Sequence, residues 1–559
     1  MNVAKLIALR TINTYKYVSP ITCLGIKCLL NEFNDDNIDT LLPKILDRKI
    51  QVNKSFDKRR YKIYKEGLED KTYRSMYVPS PTNALIESSL IYKFSLNESQ
   101  DSESVYSYQL PKNTINSSGN FQPYFKNYTQ MNENISERIS KLSTNGVLVI
   151  DIRSFYPSID KNEAVDIFNK RYGKIELLSD AVNSEEGGLA VGLDLSHIVA
   201  QEYMREFDDV MTTKYGGSYF RYVDDIYIPC NEDDNLSIVN FIQQNLTNGL
   251  VINKDKLDFI TSSDWSYLVS QTSVKKKNSN FFEVVNLYIS NNLDDLDVIE
   301  NELRNSGIYL PINRIKNEVK TTRFRDFFNW LQSKDVFRIH PLSWTIEIFY
   351  NFLINRKEHH SQKLKKSIDD YKHTYASKEV RARICIQNIR FHLSNLLYLL
   401  DDVELLELAE SLPKHEGLFA HQSIIKTLLD GDFKDLVTLN SKNVMTLSEL
   451  WLARSKELIE FSFEGQNYSD FIENIAYLKL IRVIDFDLQD AKRHLDKESF
   501  DFLVAIFDKK NKNEQLTGYP KELNSLLFKY SEQQMHDFLT TPLDASQEIN
   551  FSLEGYSPY

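Results

Sequence analysis

The sequence predicts a mixed α/β front half, followed by an all-helical back half. Short β-rich runs occur in the front half, at 146–150 and 219–228, and they alternate with helical patterns. Beyond about residue 313 the apolar periodicity is helical, as in 393–412 and 471–495. We therefore predict a mixed domain at 1–290, a linker at 291–312 and an all-α, helical-repeat-like domain at 313–559.

Composition narrows the class of protein. Of 559 residues, 42% are hydrophobic and 26% charged, which is typical of a folded globular chain. No apolar run approaches the roughly 18 residues that span a bilayer, so we expect no membrane association and a cytoplasmic protein. The four cysteines show no metal-ligand spacing, which predicts buried reduced thiols. The net charge of −12 argues against loose, sequence-independent coating of nucleic acid.

The segment 220–228, FRYVDDIYI, has two β-rich arms around a pair of aspartates. This pattern predicts a hairpin with Asp224 and Asp225 at its turn, because aspartate tolerates the left-handed conformations of tight hairpins. Carboxylates on a hairpin turn are held rigidly, as a metal site requires. A plain acidic turn between two strands would give the same pattern.

A second acid follows the apolar run 147–150. Asp151 directly after a buried strand is costly unless it is paired or bound to a metal. Acids on two neighbouring strands are what two-metal phosphoryl transfer needs. We therefore predict that Asp151 and Asp224 bind two Mg²⁺ ions, for which Mn²⁺ could substitute, with help from the Ile152 carbonyl and from Asp225.

These motifs resemble those of reverse transcriptases. Asp151 with Tyr156 resembles motif A, Gly188, Gly192 and Ser196 resemble the G-x-x-x-G-x-x-x-S motif B, and 222–225 resembles the YxDD motif C. The segment 250–256, LVINKDK, resembles motif D, and Arg74 keeps its R-x₄-P spacing to Pro79. The resemblance implies a fingers–palm domain with four catalytic residues and five residues that bind dNTPs. The catalytic set is Asp151, Asp224, Asp225 and Lys256, and the dNTP-binding set is Arg74, Phe155, Tyr156, Gly192 and Ser196.

The same resemblance assigns roles to three of these side chains. Tyr156 stands where a bulky residue crowds the sugar 2′-OH, which implies DNA synthesis. Lys256 stands where a lysine protonates the leaving pyrophosphate, and Arg74 where an arginine grips the triphosphate. Ala190 and Val191 replace the Pro-Gln that templated enzymes often carry, which puts conventional copying of long RNA in doubt.

The pattern as a whole is similar to that of the abortive-infection and other defence-associated bacterial reverse transcriptases. That family implies antiphage defence, homo-oligomers and protein-primed synthesis of single-stranded DNA that needs no template. A partner defence protein or a non-coding RNA would also fit. The priming hydroxyl stays open, with Tyr15, Tyr17, Tyr556 and Tyr559 among the candidates.

Basic residues interleaved with aromatic residues predict contacts with nucleic acid. One such run contains Lys58, Arg59 and Arg60, and another contains Arg323 and Arg325. A solvated helix face would show the same charges.

Two alternative functions remain open at the level of sequence. The first is a templated reverse transcriptase that copies a dedicated non-coding RNA. The second is a catalytically quiet palm that serves as a nucleic-acid-binding assembly scaffold.

Overall fold

The computed structural model describes residues 3–31, 55–65, 72–97, 104–111, 119–277, 281–312, 344–374, 379–508 and 515–540. The front half is mixed in secondary structure, as predicted. Its first two strands, β1 (Lys58–Lys65) and β2 (Thr72–Pro79), form an antiparallel pair. Its helices are α1 (Val3–Tyr15), α2 (Pro20–Asn31), α3 (Pro81–Asn97), α4 (Tyr124–Leu142), α5 (Phe155–Ser158), α6 (Lys161–Tyr172), α7 (Leu178–Ala181), α8 (Asp194–Tyr203), α9 (Arg205–Tyr215), α10 (Asn235–Asn245) and α11 (Ser262–Lys277).

A four-stranded antiparallel sheet forms the centre of this half. Its strands are β3 (Gly146–Asp151), β4 (Phe220–Tyr222), β5 (Asp225–Cys230) and β6 (Asp258–Thr261), in the order β4-β5-β3-β6. Helices α4 and α11 pack on β3 and β5. The sheet is nearly covered, which explains why β3 and β5 read as continuous apolar runs in the sequence.

The back half is built mainly of helices. These are α12 (Phe281–Asn291), α13 (Leu296–Asn305), α14 (Ile346–Thr374), α15 (Glu379–Leu396), α16 (Asp402–Ser411), α17 (Phe419–Asp430), α18 (Ser441–Ala453), α19 (Ile472–Leu480), α20 (Leu488–His494), α21 (Lys497–Phe507), α22 (Gly518–Leu527) and α23 (Glu532–Thr540). Two short parallel strands, β7 (Ile459–Glu460) and β8 (Ile484–Asp485), lie among them, so this half is not purely α-helical. A helical-repeat arrangement stays a prediction.

Side-chain caps fix several helix starts. The Asp160 carboxylate accepts hydrogen bonds from two backbone N–H groups at the start of α6. Asp401 and Glu404 form a reciprocal capping box at the start of α16. The Asp496 carboxylate accepts a hydrogen bond from Ser499 N–H at the start of α21. The starts of these helices are therefore determined by residues at the helix ends themselves.

Two hydrophobic cores run through the molecule. One lies under the four-stranded sheet, and the other joins the back-half helices. The segment 291–312, predicted as a linker, contains α13, with Leu296, Ile299 and Leu303 buried in the second core. This segment is therefore packed structure rather than an exposed connection, because its apolar side chains recur at helical spacing.

Helix α2 takes part in both cores. Its Ile21 and Leu24 pack with the back-half helices, whereas Cys23 and Ile26 pack with the front half. A helix that is apolar all round must be buried all round, and this one joins the two halves of the chain.

Two further predictions concern the state of the cysteines and helices that could span a membrane. All four cysteines are buried and none is in a disulfide, as predicted for reduced thiols. In the part of the chain that the structure describes, no helix combines the length and apolarity needed to cross a bilayer.

Candidate active site

The predicted carboxylates meet at one edge of the four-stranded sheet. Asp151 is the last residue of β3, Asp225 is the first residue of β5, and the two are paired across the strands. Asp224 precedes β5, and its backbone carbonyl accepts a hydrogen bond from Ile152 N–H at 3.1 Å. The three acids come from chain segments about 70 residues apart, and the antiparallel register places them together.

The hairpin that carries two of these acids has an unusual turn. Tyr222 pairs with Asp225, so Val223 and Asp224 are its two central residues. We expected an aspartate to take the left-handed conformation, but Val223 takes it, with φ of +57°. A β-branched residue rarely adopts a positive φ, so this turn is strained.

Asp224 and Asp225 are half-buried, and their surroundings disfavour the charged form. Burial is the largest cause that raises the pKa of Asp224, and the nearby Asp151 carboxylate is the next. Burial, followed by repulsion from Asp224 and Asp151, raises the pKa of Asp225 to about 7. Lys256 and Arg74 act in the opposite direction on Asp224. The three carboxylates therefore repel one another, and a bound cation would lower this repulsion.

Asp151 has two partners from the motif D segment. Lys256 Nζ lies 2.9 Å from one carboxylate oxygen, and Asn253 Nδ2 donates to the other at 2.8 Å. The Asn253 backbone N–H also donates to the Asp151 carbonyl at 2.8 Å. Sequence reasoning missed Asn253, although it lies in the same LVINKDK segment as Lys256. The Lys256 side chain is 59% exposed, so this ion pair contributes little to stability and exchanges easily.

These residues fit a hard divalent cation by their chemistry. Mg²⁺ prefers carboxylate and carbonyl oxygens, and close like-charged carboxylates lose their mutual repulsion when a cation bridges them. Within the described ranges, however, no group of three or more His, Cys, Asp or Glu side chains is arranged as a metal site. The roles of Asp151, Ile152, Asp224 and Asp225 as metal ligands therefore remain predictions.

Phe155 and Tyr156, predicted to line the nucleotide site, are 4% and 6% exposed. The Tyr156 hydroxyl lies 2.5 Å from His197 Nδ1, and the His197 ring stacks on Tyr108 at 3.9 Å between centroids. Burial lowers the pKa of His197 to about 3, so this histidine is neutral. Tyr156 is therefore fixed by a neighbour in α8, and its position five residues after Asp151 could not reveal that partner.

The motif B residues pack against protein backbone. A Cβ atom on Gly192 would come within 2.8 Å of the Tyr77 carbonyl oxygen, and Tyr77 N–H donates to the Val191 carbonyl at 2.8 Å. Gly192 was predicted to bind dNTP, and in this structure its missing side chain allows the close approach of β2. Ser196 is fully buried in α8, and among the described residues its hydroxyl has no hydrogen-bond partner.

The basic residues of β1 and β2 differ in their surroundings. Arg74 is half-buried and close enough to lower the pKa of Asp224. Lys58 donates to the Ala181 carbonyl at 2.9 Å, and burial lowers its pKa to about 8. Arg59 is 3% exposed and donates to Glu473 at 2.6 Å, so it joins the two halves of the chain and is not available to nucleic acid.

Arg60 keeps part of its side chain accessible to solvent. It is half-exposed, with Glu185 at 3.3 Å. Arg323 and Arg325, the other predicted nucleic-acid contacts, lie outside the described residues.

One comparison with known proteins identifies part of the chain. Residues 69–279 match the family model described as reverse transcriptase (RNA-dependent DNA polymerase). No curated protein matches the chain significantly. The matched segment covers β2, the four-stranded sheet and all three carboxylates. The family implies a nucleotidyltransferase that binds nucleotides and nucleic acid and uses divalent metal ions. Residues 69–279 are thus similar to a reverse transcriptase domain.

Proposed function

We propose that the chain is a DNA polymerase that adds dNTPs by two-Mg²⁺ nucleotidyl transfer. One observation carries the proposal: the strand register places Asp151 beside Asp225 and the Asp224 turn, with Lys256 in contact with Asp151. When bound, the metal ions would activate the attacking oxygen and stabilise the leaving pyrophosphate. Asp151 and Asp224 would hold them, with the Ile152 carbonyl and Asp225 in support.

The reaction requires one bond to form and one to break. A 3′-hydroxyl, or a protein hydroxyl at initiation, loses its proton to water as its oxygen attacks the α-phosphate of the dNTP. The bond between the α-phosphate and the bridging oxygen breaks, and pyrophosphate leaves. Lys256 supplies the proton that the leaving group takes up, and Arg74 binds the triphosphate. Because the ion pair of Lys256 is exposed, the lysine can exchange Asp151 for the pyrophosphate at little cost.

We further propose protein-primed synthesis that needs no template, as part of bacterial antiphage defence by a homo-oligomer. This proposal is supported by the resemblance to defence-associated reverse transcriptases and by the replacement of Pro-Gln in motif B. Ala190 is buried, and the Val191 carbonyl accepts from Tyr77, so this segment contacts β2 through its backbone. A polar side chain for a templating base is missing at both positions.

The structure ranks the candidate priming tyrosines. Tyr15 is 1% exposed, and its hydroxyl donates to the buried Glu87 carboxylate, so it is not accessible. Tyr17 is half-buried, with the Lys16 and Lys442 ammonium groups over its ring at 5.0 Å and 5.9 Å. Tyr556 and Tyr559 lie outside the described residues. Tyr17 is therefore the described candidate to test first.

The test supplies Mg²⁺ and one labelled dNTP at a time to the purified protein, without template or primer. A denaturing protein gel is run before and after protease treatment. We expect label that migrates with the polypeptide and is released by protease, and Tyr17→Phe tests one attachment site. Label that appears only when RNA is added would instead support the templated alternative. Full-length wild-type protein that binds no dNTP in Mg²⁺ would support the scaffold alternative.

The defence role has a separate test in cells. We expect cells that express the wild-type chain to reduce phage plating. Cells that express Asp224→Asn with Asp225→Asn should plate phage as the empty control does. Equal protection by both proteins would contradict a defence role that depends on synthesis.

A further inference from the structure

The strained turn at Val223 has side-chain partners on both sides. Val223 N–H donates to Ser107 Oγ at 3.0 Å, and the Val223 carbonyl accepts from Arg221 Nη1 at 2.8 Å. Ser107 lies in the segment 104–111, more than a hundred residues before the turn. Both main-chain polar groups of this residue are thus bound by side chains, in a conformation that valine rarely adopts.

Arg221 is itself held firmly. It is 1% exposed, and its Nε and Nη2 atoms donate to the two oxygens of Asp208 at 2.7 Å and 2.6 Å. The Tyr219 hydroxyl also donates to Asp208, at 2.6 Å. A buried bidentate pair of this kind fixes the plane of the guanidinium. The third nitrogen is therefore aimed at the Val223 carbonyl with little freedom to move.

The bound carbonyl belongs to the peptide unit that joins Val223 to Asp224. A change in ψ of Val223 turns this carbonyl away from Arg221 and moves the Asp224 Cα and its side chain relative to β4. The strain lies in φ of Val223, and it is released when the preceding peptide unit, which carries the N–H bound to Ser107, rotates as well. The turn therefore has a physical reason to leave the observed conformation unless both of its polar groups are held.

We infer that Arg221 is a positioning residue for nucleotidyl transfer. Its guanidinium, oriented by Asp208, holds the peptide before Asp224 so that this carboxylate faces Asp151. The inference rests on the proposed polymerase function. A lysine would keep the positive charge beside Asp208, but it lacks the planar fork that contacts the carboxylate and the carbonyl at once.

The test compares Arg221→Lys with wild-type protein in single-nucleotide incorporation. We expect kcat to fall about 10²-fold, because a small misplacement of a reacting group has an effect of that size. The KM for dNTP should stay unchanged, because Arg221 contacts no substrate. Active-site titration measures the fraction of active protein, so it distinguishes a lower kcat from a loss of folded protein.

A matched pair of second substitutions separates positioning from folding. Val223→Gly removes the strain of the positive φ, whereas Val223→Ala removes almost the same side chain and keeps the strain. We expect Val223→Gly, but not Val223→Ala, to restore at least part of the kcat lost in Arg221→Lys. Equal recovery by both, or recovery by neither, would overturn the inference.

If Arg221→Lys does not fold, Ser107→Ala tests the same turn from its other side. We expect kcat to fall with an unchanged KM, and Val223→Gly to restore it in that background. Folded Ser107→Ala or Arg221→Lys with wild-type kcat would reject the positioning role alone. Incorporation that survives Asp224→Asn with Asp225→Asn would instead reject the proposed function.

Discussion

The front half contains two groups of neighbouring carboxylates, and the two groups differ in the residues that surround them. The sheet-edge cluster consists of Asp151, Asp224 and Asp225. The buried pair consists of Glu87 on α3 and Asp194 at the start of α8. Both groups bring like charges together, and in both burial is the largest cause that raises a carboxyl pKa.

The buried pair is satisfied by neutral donors. The Tyr15 hydroxyl donates to Glu87, Leu195 N–H donates to its other oxygen at 2.8 Å, and Asn120 Nδ2 donates to Asp194 at 2.8 Å. Burial, followed by repulsion from Asp194, raises the pKa of Glu87 to about 8. Burial raises the pKa of Asp194 to about 6. The pair therefore relieves its repulsion by holding a proton.

The sheet-edge cluster is partly compensated by cations, although the pKa values of Asp224 and Asp225 stay raised. Lys256 contacts Asp151, both Lys256 and Arg74 lower the pKa of Asp224, and the Lys256 side chain is exposed. Because the Lys256 side chain is exposed, it can give up Asp151 to a metal ion and bind a phosphate instead. Neighbouring acidic residues alone thus do not identify a reaction site. The groups that compensate their charge, cations or neutral hydrogen-bond donors, distinguish the two cases.

The largest expected effect separates the two groups directly. Asp224→Asn with Asp225→Asn should abolish incorporation of labelled dNTP, because it removes charge while it keeps side-chain shape. Glu87→Gln should retain wild-type incorporation, because Glu87 already holds a proton at neutral pH. Circular dichroism of each variant checks the fold. Incorporation by the double variant would remove the distinction drawn between the two groups.

The next effect concerns the cation of the sheet-edge cluster. Lys256→Ala should lower kcat about 10²-fold, which is a typical contribution of a general acid. Lys256→Arg keeps a positive charge near Asp151, but arginine does not give up its proton at accessible pH. We expect Lys256→Arg to be impaired as well. Wild-type kcat in this variant, measured by rapid quench, would reduce the role of Lys256 to charge balance.

Tyr156 connects the two regions, since it follows Asp151 and contacts His197 on the helix that begins with Asp194. Tyr156→Ala should reduce discrimination against ribonucleotides by about tenfold or more, because it opens space at the sugar. Tyr156→Phe keeps the ring and loses only the hydroxyl contact with His197, so it should still discriminate. Competing dNTP and rNTP incorporation measures the ratio, and unchanged selectivity in Tyr156→Ala would reject the steric gate.

The smallest effect is on stability. A pKa raised from 4.5 to about 8 means that folded Glu87 holds its proton more tightly than the unfolded chain does. Its stabilisation is complete below pH 4.5 and is lost as the pH rises through about 8. The Tm of wild-type protein should therefore fall relative to Glu87→Gln across that interval. A constant difference in Tm would show that Glu87 is charged when buried.

Much of the candidate active site could be predicted from local sequence. The apolar run of β3, the hairpin of β4 and β5 and the order of the motifs depend on residues close together in the chain. The antiparallel pairing of Asp151 with Asp225 follows once both strands are placed in one sheet. The helical character of the back half was also predictable, because its apolar spacing and its aspartate caps are local signals.

Other features depended on residues far apart in the sequence. In the sequence Arg59 looks like any exposed basic residue. In the structure it is buried and paired with Glu473, which lies 414 positions later in the chain. The linker 291–312 was predicted from acidic composition, but the apolar side of α13 packs in the second core.

The sequence by itself determined which residue types could perform nucleotidyl transfer and which strands would carry them. Periodicity, turn chemistry and motif spacing depend on residues close together in the chain, so they can be recognised without knowledge of the fold. Only the tertiary structure decided which acids share charge with cations and which share a proton. It also decided that Val223, held by Arg221 and Ser107, bears the strain of the turn. Burial and side-chain partners come from packing between distant segments, and no local pattern encodes them.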